Sequence, residues 1–291
     1  MLMHKRIPAA VGAAVTATAL AATGVAVTGV AASAAVTRPT HPVSPAHTAL
    51  PKIFVAMNGK KISLNRSTYP SGGAEVVSTV THEPQGDPTF IRLDPGVTVA
   101  QLLKAAAGDP NNIALIASVV FSPQANKGTS TAQAYLAPGC YVAVDLATNA
   151  KVPPLTTFKV TKAASPAKLP KPKATVASIE FGFRGPGRLR DGELVRFANH
   201  GFLVHMIVAA RGRNAAGARE IARLLKAGKD GKAQRLATGF YSFVNIMTHG
   251  AYQQQVIHNR PGYWVLACFM DTQDGREHTQ LGMERVIRIV K

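Results

Sequence analysis

Near the end of the chain, Cys268 closes the run Pro261-Gly262-Tyr263-Trp264-Val265-Leu266-Ala267-Cys268, and nine residues separate it from His278. Leu281-Gly282-Met283 follows. Upstream, Asn199-His200-Gly201-Phe202-Leu203-Val204-His205 supplies a second imidazole, with His205 the first choice and His200 the alternative. A thiolate, two imidazoles and a thioether form the ligand set of a mononuclear electron-transfer copper site. Sulfur and imidazole nitrogen suit both Cu(I) and Cu(II), so such a centre changes shape little when an electron arrives. Zinc competes for a Cys/His/His site but has no use for a distant thioether.

Taken singly, each residue has a plainer role. Cys268 in an apolar strand serves as a small buried hydrophobe, His205 between Val204 and Met206 as a satisfied core histidine, and Met283 as core. A Cys140–Cys268 disulfide would join non-equivalent positions in different halves. The complete set in order and spacing favours ligation. His249 and His258 read as surface or outer groups.

The elements that must position these residues are short. Thr175 to Phe183, Glu193 to Phe197, Leu203 to Ala209, Gln253 to His258, Tyr263 to Phe269 and Glu284 to Val290 are β-branched or aromatic runs between turn residues, which predicts strands. Cys268 then ends one strand, His278 lies in the following loop, Met283 precedes the last strand, and His205 sits on a neighbouring strand. Ala215 to Ala227 is different. It places Ala218, Ile221, Ala222, Leu224 and Leu225 on one helical face and Arg219, Arg223 and Lys226 on the other.

The Pro/Lys-rich stretch 163–174 divides the chain into halves 51–162 and 175–291, related by ordered matches. Glu75-Val76-Val77 corresponds to Glu193-Leu194-Val195, and Val99-Ala100-Gln101-Leu102-Leu103-Lys104 to Ile221-Ala222-Arg223-Leu224-Leu225-Lys226. Pro138-Gly139-Cys140-Tyr141-Val142 matches Pro261-Gly262-Tyr263-Trp264-Val265, and Phe158-Lys159-Val160 matches Ile287-Arg288-Ile289. On this alignment Asp145 takes the place of Cys268, Thr89 or its neighbours stand at the place of His205, and Cys140 is not the equivalent thiolate. The first half reads as a metal-free copy with a packing or docking role.

At these residues the second half, about 175 to 291, resembles the cupredoxin family of Greek-key sandwiches carrying a type 1 copper. The His278-x-x-x-Gly282-Met283 ending is similar to that of plastocyanin. The longer gap from Cys268 to His278 is closer to the type 1 domain of copper nitrite reductases. The resemblance implies that His205, Cys268 and His278 are equatorial ligands, that Met283 is axial, and that His278 offers an exposed edge to a partner. Met206 departs from the Asn or similar residue that many blue copper proteins carry after the first histidine, and the loop Phe269 to Glu277 is long and polar. The expected fold class is mainly β: two tandem cupredoxin-like Greek-key β-sandwiches, the second with an inserted helix.

Composition bounds the setting. A positive start at Lys5 and Arg6, an Ala/Val/Thr/Gly run and Ala32-Ser33-Ala34 read as an export signal over 1–35, followed by a Pro/Thr-rich stalk over 36–50. Membrane attachment is expected only if that segment stays uncleaved. The net charge of +18, from 33 Lys and Arg against 15 Asp and Glu, suits an acidic redox partner or an anionic cell-surface polymer. Without a recognition motif, nucleic acid is not an expected partner. No His-x-His pair, Ser/His/Asp order or phosphate loop stands out, so the expectation is a copper protein that is not an enzyme. The alternative is a metal-free tandem sandwich acting as a cell-surface binding module.

Overall fold

Alternating burial builds the strands. In Lys52–Met57, Ile53, Val55 and Met57 point inward while their neighbours face out, the period-2 pattern of a half-buried strand. The computed structural model describes residues 49–148 and 150–291. The predicted export segment and nearly all of the predicted stalk lie outside the described residues.

Three sheets result. Each half has a five-stranded sheet of its own. In the second half its order is Arg188–Arg190, Glu284–Val290, Gly262–Ala267, His205–Arg211, Phe240–Met247. In the first half it is Thr68–Pro70, Leu155–Thr161, Gly139–Asp145, Pro88–Leu93, Ala117–Phe121. The third sheet has eight strands, four from each half, and is continuous across the pairing of Gln253 with Ala134 and Gln254 with Gln133. Each five-stranded sheet packs on its own half of this shared sheet. One core holds Phe197, Phe243, Trp264 and Ile287, and the other holds Phe90, Phe121, Tyr141 and Phe158. The mainly β, double-sandwich class expected from the sequence is what the strand pairing shows.

The two halves repeat fine detail. Tyr141 pairs with Arg92 as Trp264 pairs with Arg211, and Phe158 lies opposite Tyr141 as Ile287 lies opposite Trp264. Gly139 and Gly262 both have positive φ, and a Cβ on either would press on the side chain of Arg92 or Arg211. The Tyr141 hydroxyl donates to Ala137 O and the Trp264 indole to Arg260 O, each four residues back.

Helices are more numerous than expected. Besides Ala215–Lys226 there is Asp230–Leu236, and the first half has its own helix, Val99–Gly108. That helix starts at a capping box formed by Thr98 and Gln101. Among the described residues no helix is long and apolar enough to cross a membrane.

The stretch 163–174 runs against the sheet. Gly73 donates to Ala167 O at 2.7 Å, Lys173 donates to Leu194 O at 2.9 Å, and Gln254 Nε2 donates to Pro170 O at 3.1 Å. A buried polar seam joins the halves elsewhere. Ser122 N donates to Gln253 Oε1 at 2.7 Å, Gln253 Nε2 to Phe243 O at 2.7 Å, and Asn245 N to Ser122 O at 2.8 Å. Buried amides that find partners in this way hold one register instead of sliding.

Candidate metal centre

His205 is the first residue of the strand His205–Arg211, and Cys268 directly follows the strand Gly262–Ala267, whose residues pair with that strand. His278 opens the short 3-10 turn His278–Leu281, and Met283 follows its left-handed cap Gly282, φ 103°. His278 N donates to Met270 O at 2.8 Å and Met283 N to His278 O at 2.9 Å, which returns the chain to the sandwich end after the polar loop. All four side chains are buried at 0% exposure.

Three donor atoms converge. The two Nδ1 atoms lie 3.2 Å apart, and Cys268 Sγ lies 3.8 Å from His205 Nδ1 and 3.4 Å from His278 Nδ1. A trigonal centre with metal–nitrogen bonds of about 2.0 Å and a metal–sulfur bond of about 2.3 Å has edges of about 3.5 and 3.7 Å. The triangle therefore fits one mononuclear copper with little movement. It is the group of potential metal-binding side chains found among the described residues, and its donors match type 1 copper chemistry.

The electrostatics suit a metal better than free charges. Burial pushes the Cys268 thiol up to about 12, against amide hydrogen bonds from Met206 and Met270 that favour the thiolate. Burial and then the neighbouring His278 lower His205 to about 4, with Glu180 opposing. Burial likewise lowers His278 to about 4, again opposed by Glu180. At neutral pH both imidazoles are thus neutral, each with one ring nitrogen free to bind a metal, while a metal taking the sulfur would displace the thiol proton to solvent. Met206 contributes through its backbone: its N–H donates to Cys268 Sγ at 3.2 Å.

One expectation needs correction. His278 does not form an exposed edge. The 3-10 turn folds its ring inward, where Phe181 meets it edge-on at 5.3 Å. Phe181 holds a left-handed backbone, φ 55°, in the tight turn between Ala174–Ile179 and Gly182–Arg184. The long loop is also fixed: Asp271 bridges to Glu277, Arg276 Nε donates to Asp274 Oδ2 at 2.7 Å, and Asn111 of the first half donates to Asp271 O at 2.9 Å. His200, the alternative imidazole, is exposed and is not in the cluster, and His258 is exposed beside Asp191.

Sequence reasoning missed the cover over His205. Asn199, fully buried, accepts from Gly201 N at 2.9 Å and donates to Leu203 O and Met247 O. Glu180 Oε1 accepts from the amides of Phe202 and Leu203. Gly201 packs so closely that a Cβ there would lie 2.7 Å from His205 Nε2 and 2.6 Å from Glu180 Oε1. Gly201→Ala is therefore expected to displace the His205 ring or the cover, shifting the copper visible and electron paramagnetic resonance spectra while thermal stability falls by less than about 2 kcal/mol. Unchanged spectra would show that the Glu180 side of the cover yields and the His205 ring stays in place.

The first half has the same corner with different chemistry. Asp87 N donates to Asp145 Oδ1 at 3.0 Å and Ala147 N to the same oxygen at 3.1 Å, as Met206 and Met270 do for Cys268. Asp145 thus fills the thiolate position with a carboxylate. Strand register aligns Thr89 with Val208 instead of His205.

No family model and no curated protein matches the chain. Solved structures that match include auracyanin from Roseiflexus castenholzii, 16% identical over 40% of this chain and 95% of its own, TM-score 0.25. Copper nitrite reductase from Nitrosomonas europaea is 10% identical over 82% and 93%, TM-score 0.23. The McoA multicopper oxidase from Aquifex aeolicus is 11% identical over 82% and 65%, TM-score 0.23. Two of these are enzymes that align across both halves, which corrects the expectation that the chain is not an enzyme. Catalytic groups can be assembled across a domain boundary from residues far apart in sequence, and motif spacing does not reveal them.

Proposed function

We propose that this is an exported copper protein that passes single electrons through one mononuclear site. His205 Nδ1, Cys268 Sγ and His278 Nδ1 would hold the copper, and the buried Met283 thioether would be its further sulfur donor. The observation that carries the reading is the buried triangle of three donors already spaced for one metal. A copper ion bound there supplies a one-electron couple. The chain's own residues supply the rest: amides of Met206 and Met270 steady the thiolate, Asn199 and Glu180 fix the cover over His205, and Phe181 shields His278 from water. Rigid, preformed donors keep reorganisation small when the electron moves. A metal-free binding module is not favoured, because it gives no reason to bury these donors face to face.

The domain limits proposed are 51–162 for a metal-free copy and 175–291 for the copper domain, joined by 163–174. The parallel pairings and the Asp145 substitution support a tandem repeat. An acidic redox partner suits the exposed Arg219, Arg223, Lys226, Lys232 and Arg235 on the two helices of the second half, the first of which packs on the His278–Leu281 turn. Copper carriage on the same ligands is the other use of such a site. A spectroelectrochemical titration separates the two. Electron transfer predicts a reversible one-electron wave that bleaches the visible band without loss of metal, whereas release of copper on each reduction would point to carriage.

A further inference from the structure

Both imidazoles of the centre have a ring nitrogen left over. His205 and His278 turn Nδ1 towards Cys268, and their Nε2 atoms are buried without a hydrogen-bond partner. Metal-bound imidazoles ordinarily pass the remaining N–H to a carboxylate, a carbonyl or water, and such partners tune the metal. The carboxylate at hand is Glu180. It stands in the tight turn after Ile179, and the next residue, Phe181, meets the His278 ring edge-on at 5.3 Å. Its Oε1 and His205 Nε2 flank the same side of Gly201: the point where a Cβ would sit is 2.6 Å from one and 2.7 Å from the other. Its charge favours the protonated form of both rings. The carboxylate is held ionised. Burial opposes the charge, but the amides of Phe202 and Leu203 donate to Oε1, and the balance leaves the carboxyl below its ordinary pKa.

We propose that Glu180 sets the reduction potential of the centre: as a fixed negative charge beside both imidazoles, it favours Cu(II) over Cu(I). This role, which rests on the copper reading, is electrostatic. Reduction adds one electron and no proton, so the site loses one unit of positive charge, and a nearby carboxylate opposes that loss. Glu180 acts through the imidazoles as a positioning residue and is not a ligand.

Glu180→Gln in the full chain removes the charge but keeps the side chain's length and an oxygen for the two amides. It should still bind one copper with its thiolate band. At a solution potential fixed by a ferrocyanide/ferricyanide couple, its ratio of Cu(I) to Cu(II) should rise about tenfold, a shift of about 59 mV for one electron. Phe202→Lys, at a side chain 79% exposed, brings a cation to the same loop and should raise the ratio by about threefold. Phe54→Lys, at an exposed side chain on a strand of the first half, should leave it unchanged. In the metal-free chain, amide hydrogen exchange at Phe202 and Leu203 should stay slow in Glu180→Gln and quicken in Glu180→Ala. Fast exchange in Glu180→Gln would trace any shift to a loosened cover and overturn the electrostatic role. An unchanged or lower ratio in Glu180→Gln with copper bound would overturn it too, and would leave the copper reading intact. Should that variant fail to load, an unmoved ratio in Phe202→Lys overturns the role equally. A native chain that takes up no copper removes the copper reading itself, and the role of Glu180 with it.

Discussion

Cys268→Ala is expected to bind no copper at equimolar metal and to show no thiolate-to-copper absorption, while retaining the β fold. Cys268 is the one sulfur in the donor triangle, and the band arises from the copper–thiolate bond, so no remaining side chain can replace it. The structural cost is small by comparison. Alanine fits the buried position but leaves the amides of Met206 and Met270 without their sulfur acceptor, a loss of about 1–3 kcal/mol. Metal analysis with near-ultraviolet and visible spectra separates the two effects. His278→Ala should also alter the centre, with weaker binding and a changed spectrum. His258→Ala should not, because that ring is exposed and 3.8 Å from Asp191. Equal effects of the two histidine substitutions would contradict the ligand assignment.

Asp87→Asn is expected to stabilise the protein at alkaline pH by about 2–4 kcal/mol and to remove a pH dependence present in the native chain. Burial of the Asp87 carboxyl, and then the nearby Asp145 charge, raise its pKa to about 7 from an ordinary value of 3.8. The residue as a whole is only partly buried, but Oδ1 is sealed from water without a hydrogen-bond partner, and that atom governs the cost of ionisation. The Asn245 amide lies near enough to favour the carboxylate without completing a hydrogen bond of good geometry. A folded-state pKa above the unfolded one means that the folded chain holds the proton more tightly. Its stabilising contribution is full below about pH 4 and is lost as pH rises towards and through 7. Urea unfolding at pH 5 and pH 8 should therefore show the Asn variant gaining most at pH 8. A constant difference between the two pH values would place the proton elsewhere.

The proposed ligands Cys268, His278 and Met283 stand out in the sequence because they are short-range features of one strand end, one loop and one turn. Cys268, His278 and Met283 lie within a single stretch, and His205 lies on the strand that pairs beside them. The strand runs were legible for the same reason, since alternation and turn residues are local. What surrounds the ligands was not. Gly201, Asn199, Glu180 and Phe181 matter through contacts between segments distant in sequence, and nothing in their types marks them. The burial of His278 depends on the 3-10 turn and on Phe181 across the sheet. The continuous eight-stranded sheet was hidden because it rests on two residue pairs, Gln253–Ala134 and Gln254–Gln133, whose polar and small side chains give no interface signature. Asp145 was matched to Cys268 by alignment, yet only the structure shows that the two accept from equivalent backbone donors, Asp87 and Ala147 in one half and Met206 and Met270 in the other.

The most direct test is titration of the reduced, metal-free protein with Cu(II), followed by visible absorption and metal analysis. The donor triangle predicts one tightly held copper per chain and an intense thiolate-to-copper band that saturates at one equivalent. A protein that stays colourless and retains no copper after desalting would contradict it.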